Sequence, residues 1–314
     1  MADEQQFWAL RFGELGLKSA PVRRNFERVL RNSLERGAIA NGIDLFLERS
    51  DNLMLASSYG KKEIIEGLLR RCFGLVGADP VTAMELDPLV VAMAALERDV
   101  MRNEPRTFAV RCKRSGAKQE WGSQDFAGEV GYHMLQNDSA LKVDLSNPQN
   151  TIRVHMSAAR AWLMDERVAG PGGLPAGVQG DVIARISTQD ELLSAWQVMR
   201  RGAGIVAVEG SDESLLAMLD QWDPGLLQAA KGYPSASRRK RLAKRTPWGF
   251  IGMSREEAKE LIREDRRRDT PAAELNATQG WSDSEKEALL SHIQNPDDQV
   301  WGHAGNDALL SWIT

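Results

Sequence analysis

The stretch IDLFLERSDNLMLAS (Ile43–Ser57) holds two short runs of alternating apolar residues, IDLFLE and NLMLAS, parted by the turn-like Arg49-Ser50-Asp51. Two such runs joined so closely predict paired strands. Toward the N-terminus lies the apolar run FWALRF from Phe7, then a helix in which Val22, Phe26, Val29, Leu30 and Leu34 share one face,. Pro21 suits the first turn of that helix, where a missing amide costs nothing. Toward the C-terminus a helix is expected from about Lys61 to Cys72, then a strand near VTAMEL (Val81–Leu86). The order is β-α-β-β-α-β, and the helix near Leu89–Met101 reads as a connector.

That order describes a ferredoxin-like split unit, a two-layer domain with helices on one face of an antiparallel sheet. A second α/β unit runs from about Thr107 to Glu166, with strands at TFAVRCK, LKVDL, TIRVHM and RAWLM and a helix at about Gln124–Leu135,. Between Ala169 and Gly180 the sequence AGPGGLPAGVQG holds five glycines and two prolines, which suits a linker or functional loop. Then DVIARIS, a helix of about Glu191–Gly202 and GIVAVEG form one βαβ unit, which implies a parallel sheet. Ser254…Glu257 and Ser282…Glu285 have the spacing of capping boxes and predict two more helices. The fold class expected is therefore mixed α/β and α+β, in several domains.

Composition narrows the function classes. At 314 residues the chain is long enough for two or three cores,. Its two cysteines, Cys72 and Cys112, are far apart and have no CxxC spacing, so neither a disulfide framework nor a thiolate zinc site is expected,. No apolar run reaches the ~18–20 residues of a membrane span, and MADEQQ has no signal-peptide pattern. A soluble, cytoplasmic protein without membrane contact is expected. The net charge of −4 argues against indiscriminate coating of nucleic acid,. Four histidines, His133, His155, His292 and His303, lack metal-ligand spacing,.

RFGELGLK at Arg11–Lys18 followed by NFERVL resembles the start of tRNA 4-thiouridine synthases. TFAVRCKRSG at Thr107–Gly116, KVDLSNP at Lys142–Pro148 and GPGGLPAGVQG at Gly170–Gly180 resemble that family's THUMP domain and the linker after it. These motifs cover about the first three fifths of the chain in the family's order. The resemblance implies a ferredoxin-like domain at residues 1–86, a THUMP domain at 87–168 and a linker at 169–180. It also implies a degenerate, Rossmann-like PP-loop domain at 181–250, followed by a helical acidic segment at 251–314. In that family the first two domains hold the acceptor stem and 3′ end of tRNA. The PP-loop domain adenylates a uridine, and a cysteine delivers sulfur.

The residues that could meet RNA are cationic. Arg24, Arg28 and Arg31 lie opposite the apolar stripe of the first helix, as a phosphate-facing row or an ordinary solvated face. Arg111, Lys113, Arg114 and Lys118 cluster where a strand passes into a loop, with Arg111 and Lys113 on one face; Lys142 lies in the neighbouring motif. Arg11 and Lys18 either reach RNA or cover an interface. In SRRKRLAKR (Ser237–Arg245), Arg238, Arg239 and Lys240 offer a second RNA contact or an exposed tether,. Phe7, Trp8 and Phe12 suit core packing better than base stacking. The tail's Trp281, Trp301 and Trp312 suit core or partner docking better than stacking.

The chain departs from the family at the nucleotide loop. Where the family has a strand followed by SGGxDS, this sequence reads Ile186-Ser187-Thr188-Gln189-Asp190-Glu191. Both glycines are missing, and Asp190 and Glu191 place negative charge where a triphosphate would sit. Asp190 is expected to cap or charge the helix start. No cysteine follows Cys112, so the C-terminal half offers no thiol for sulfur transfer. The reading is a tRNA acceptor-arm binder without a catalytic site or cofactor, an accessory to a separate tRNA-modifying enzyme; a homodimer stays open. The alternative is an active tRNA sulfurtransferase using ATP and magnesium with an external thiol. A protein-binding relic is the third reading.

Overall fold

The computed structural model describes residues 5–13, 19–50, 53–116, 121–232, 239–240, 244–262, 271 and 273–296. The chain divides into two compact units: Met1–Leu10, Phe46–Tyr59 and Asp79–Arg167 form the first, and Arg11–Leu45, Gly60–Ala78 and Val168–Thr314 the second. The architecture is mixed α/β.

The first unit is built on a sheet in the order β2-β3-β1-β4-β8-β7-β5-β6. Its strands are β1 (Gln6–Phe12), β2 (Phe46–Ser50), β3 (Leu53–Ser58), β4 (Leu75–Met84), β5 (Arg106–Arg114), β6 (Leu141–Val143), β7 (Asn150–Met156) and β8 (Ala161–Met164). β1, β2 and β3 pair antiparallel, as do β4 with β8 and β7 with β8, whereas β5 runs parallel to β6 and β7. Arg49 and Ser50, expected in the turn, lie in β2 opposite Met54 and Leu53. β2 starts later than its alternating pattern because Ile43 donates its amide to the Ala38 carbonyl (3.0 Å), closing the preceding helix.

β4 starts earlier than expected and runs through Pro80. Gly77 and Ala78 pair with β9 (Val168–Ala169), and Val81–Met84 pair with β8. Pro80, which has no amide to offer a ladder, stands where the strand changes partners. Helix α3 (Pro88–Arg98) opens at Asp87, whose carboxylate accepts the amides of Leu89 and Val90. It packs with α4 (Ser123–Asn137) over a core that includes Leu96, Phe108, Phe126, Val130, Met134, Ile152 and Val154. Full burial of each large apolar side chain contributes about 1.5–3 kcal/mol.

The second unit contains α1 (Ala20–Ala40) and α2 (Lys62–Arg70). It also holds a parallel sheet in the order β11-β10-β12-β13, formed by Gly204–Ala207, Asp181–Ala184, Gly249–Ile251 and Ala273–Glu274. Its further helices include α5 (Gln189–Arg200), α6 (Glu213–Asp220), α7 (Leu226–Ala230), α8 (Arg255–Glu260) and α9 (Asp283–Gln294). Both expected capping boxes form, at the starts of α8 and α9. Phe73, Trp196, Trp222 and His292 nest with ring centroids 5.2–5.7 Å apart. Trp281 is half-buried against that core; Trp301 and Trp312 lie outside the described residues. The glycine- and proline-rich stretch is no loose tether: Leu174, Ala176 and Val178 are buried, and Gly177 donates to Gly202. No helix among the described residues is long and apolar enough to cross a membrane.

Candidate nucleic-acid interface and the loop before α5

In β5, Phe108, Val110 and Cys112 turn to the core under α3 and α4. Alternation sends Thr107, Arg111 and Lys113 to the other face. The register sets Arg111 beside Arg153, Lys113 beside His155 and Thr107 beside Lys142. Arg111, Lys113 and Lys142 are exposed, so β5 and β6 contribute open cations to one sheet face, with the half-buried Arg153 of β7 beside Arg111. Arg111 Nη2 donates to the Leu145 carbonyl, which steers its guanidinium toward the loop after β6. Arg114 is exposed too, but it shares Cys112's face, so the expected cluster divides across the sheet. Lys118 lies outside the described residues.

Arg153 was not among the expected contacts, although TIRVHM carries the signal: Thr151, Arg153 and His155 alternate with the buried Ile152, Val154 and Met156. Its Nη1 lies 3.4 Å from Asp79 Oδ1, and Arg167 meets the same carboxylate at 2.7 and 3.2 Å. Asp79 is fully buried, and a buried carboxylate without such partners would be costly. At the start of β5, Arg106 lies 2.7 Å from Asp99 and 2.8 Å from Asp138, with all three side chains buried. Burial raises the Asp138 pKa, but hydrogen bonds from Asn103, Arg106 and Ala140 outweigh it and hold the carboxyl below its ordinary value. His155 Nε2 sits 2.9 Å from Ser115 Oγ in a buried pair.

On α1, Phe26, Leu30 and Leu34 turn inward, Arg24 and Arg28 are exposed and Arg31 is half-buried. Arg28 donates to Asn25 Oδ1 at 2.8 Å. Arg36, which the residue pattern did not single out, reaches Asp223 at 2.8 Å. Arg11 is half-buried at the end of β1, and Arg239 and Lys240 are exposed; Lys18 and Arg238 lie outside the described residues. Trp8 is core, Phe7 packs edge-on against Trp162 at 5.9 Å, and Phe12 lies against the cluster around Phe26.

The loop between β10 and α5 carries the second candidate site. Glu191 turns its carboxylate back, and Oε2 accepts the amides of Ser187 at 2.7 Å and Thr188 at 2.9 Å. Thr188 Oγ1 in turn accepts the Glu191 amide at 3.4 Å, closing a capping box. The N-cap is therefore Thr188. Asp190 lies in the first turn and pairs with Lys286 at 2.9 Å, so it charges the helix start without capping it. T-x-x-E was legible in the sequence as a capping box. Ser187 Oγ is spent on the Gly210 carbonyl at 3.1 Å. Gly252 makes room for this arrangement: at φ +66°, a Cβ there would stand 2.1 Å from the Arg185 carbonyl oxygen and 2.8 Å from Glu191 Cδ,.

Chemically, the two surfaces differ. Amides at a helix start attract anions, but here an internal carboxylate already holds the Ser187 and Thr188 amides. Gln189 keeps a side chain where the family motif has glycine. Burial pushes the Cys72 thiol up to about 12, against the opposing pull of Arg36, and pushes Cys112 to about 12 as well. Neither is a thiolate at neutral pH. Among the described residues no three His, Cys, Asp or Glu side chains gather as a metal site.

The THUMP domain family matches residues 84–165, which include α3, β5, α4, β6, β7 and β8. A probable tRNA sulfurtransferase of Methanocaldococcus jannaschii is 31% identical over 216 residues, 66% of this chain and 56% of that protein. Its counterpart in Thermococcus kodakarensis is 28% identical over 207 residues, 63% of this chain and 54% of that protein. The chain thus spans about half the length of the curated relatives it matches. Among solved structures, PH1313 from Pyrococcus horikoshii superposes with a TM-score of 0.70 over 92% of this chain and 99% of its own. A 4-thiouridine synthetase, solved as an RNA complex with bound ATP, gives 0.64 over 93% and 87%. Both are 21% identical and speak for the fold.

Proposed function

We propose that this chain, which belongs to the tRNA 4-thiouridine synthase-like family and carries a THUMP domain, binds the acceptor arm of tRNA in the cytoplasm. In this reading it serves tRNA modification as a non-catalytic accessory to a separate enzyme. The observation that carries the non-catalytic part is the closed loop before α5, where the Glu191 carboxylate already takes the Ser187 and Thr188 amides and so leaves the loop fewer donors for a phosphate. A triphosphate would have to displace that carboxylate and approach Asp190 as well. The binding part draws support from the exposed Arg111, Lys113 and Lys142 on one sheet face. Cations so placed meet backbone phosphates and A-form shape more than base identity.

The test measures binding of the full chain to whole tRNA, to an acceptor minihelix and to the minihelix without its single-stranded 3′ end, across a salt series. Tighter binding of the untrimmed forms, weakening steeply with salt, is expected. Equal or absent binding of all three sinks the acceptor-arm reading. Titration with ATP and magnesium in the presence of tRNA is expected to give no saturable heat; clear ATP binding would restore the sulfurtransferase reading.

A further inference from the structure

Trp248 differs from the tryptophans of the two cores. Trp8, Trp162, Trp196 and Trp222 are buried, whereas Trp248 is 41% exposed. It is nonetheless held firmly. Its amide donates to the Asp181 carbonyl at 2.9 Å, Pro247 precedes it, and β12 begins at the next residue. Its indole lies against Gly180, where φ is +95° and a Cβ would come within 3.0 Å of the ring's Cδ1. Just before it, Lys244 and Arg245 are exposed, and Arg245 Nη1 lies 3.5 Å from the Val178 carbonyl oxygen. Arg239 and Lys240 extend the same basic segment. Val178 also packs with Phe26 of α1. The stretch 178–180 thus touches both the arginine-bearing helix and the Trp248 segment.

We infer that Trp248 is a stacking platform for an unpaired RNA base, with Lys244 and Arg245 holding the flanking phosphates. An exposed aromatic ring among cations is how proteins grip single-stranded nucleic acid, because any base can stack while the cations follow the backbone. Seated on Gly180 between Pro247 and β12, the ring is already placed for such a contact, which keeps its ordering cost small,. This inference rests on the tRNA-binding reading and extends it to residues after the linker.

The test uses the full chain with labelled whole tRNA and with the same tRNA trimmed of its 3′ end, across a salt series. Trp248→Ala is expected to weaken whole-tRNA binding about 5- to 150-fold, equivalent to ~1–3 kcal/mol per stacked base, with the salt slope unchanged. It should affect trimmed tRNA less, and Trp248→Phe should retain most of the affinity. Lys244→Gln with Arg245→Gln should flatten the log–log salt slope by about 1.4, two single-strand phosphate contacts' worth. If Trp248→Ala lowers the melting temperature, Trp248→Phe and the double variant decide, and an unchanged salt slope in the double variant overturns the inference. Wild-type affinity in a stably folded Trp248→Ala protein also overturns it and assigns the surface to a protein partner. No tRNA binding by the unaltered chain defeats the proposed function as well, so the two failures are distinguishable.

Discussion

The β5–β7 surface and the β10–α5 loop treat charge in opposite ways. On the sheet face, Arg111, Lys113 and Lys142 point outward, while the buried cation of the same strand, Arg106, is fully matched by Asp99 and Asp138. At the loop, Glu191 consumes the Ser187 and Thr188 amides, and Lys286 takes up Asp190. One region leaves donors open to an outside anion; the other supplies the anion itself. At this helix start the chain's own carboxylate stands where an outside anion would otherwise meet the loop amides.

The comparison is broken most severely at the anchor of the cationic face. Arg106→Ala leaves two buried carboxylates unmatched and is expected to destabilise the chain by about 3–5 kcal/mol, read as a lower denaturant midpoint. A loss under ~1 kcal/mol would show that the triad does not fix β5.

The second unit has its own buried titratable group. Burial, aided by the charges of Arg200 and Arg71, lowers the His292 pKa from 6.5 to about 4. The unfolded chain therefore takes up a proton that the folded chain refuses. The stability linked to this group is full above about pH 6.5 and falls as pH drops toward 4, by about 3 kcal/mol at most,. Denaturation across that range should show the slope, and His292→Leu should remove it. An unchanged slope in the variant would place the titration elsewhere.

The open cations should matter to affinity more than to folding. Arg111→Gln with Lys113→Gln is expected to weaken tRNA binding about tenfold at moderate salt and to flatten the salt slope by about 1.5–2, with little change in melting. A fall in affinity without a change of slope would mean that the pair acts through local structure.

The smallest expected effect sharpens the other side. Glu191→Ala frees the two loop amides and should cost about 1 kcal/mol, typical of a lost helix cap. Calorimetry with ATP and magnesium should still show no saturable binding, because Gln189 and Asp190 remain. Saturable ATP binding in this variant alone would identify Glu191 as the one barrier to nucleotide.

Much of this was legible along the chain. The alternating runs around Ile43–Ser57, the i, i+4 spacing of Phe26, Leu30 and Leu34, and the boxes at Ser254 and Ser282 all recur as elements. Each depends on contacts within a few residues, where spacing fixes the face. The outward alternation of Arg111 and Lys113 follows from the same rule. Of the two roles expected of Asp190, charging the first turn is the one it takes, while the T-x-x-E spacing makes Thr188 the N-cap.

The sequence by itself determined the order of the main strands and helices up to β11, the family resemblance, the missing loop glycines and the cationic content of the candidate surfaces. Those depend on residue type and spacing alone. Only the tertiary structure decided that β4 changes partners at Pro80, that Arg153 stands beside Arg111, and that Gly252 makes room for Glu191. It also decided that Trp248 rests on Gly180. Those outcomes join residues far apart in the chain, and which distant groups meet is set by how strands and helices pack, a choice that no local pattern encodes.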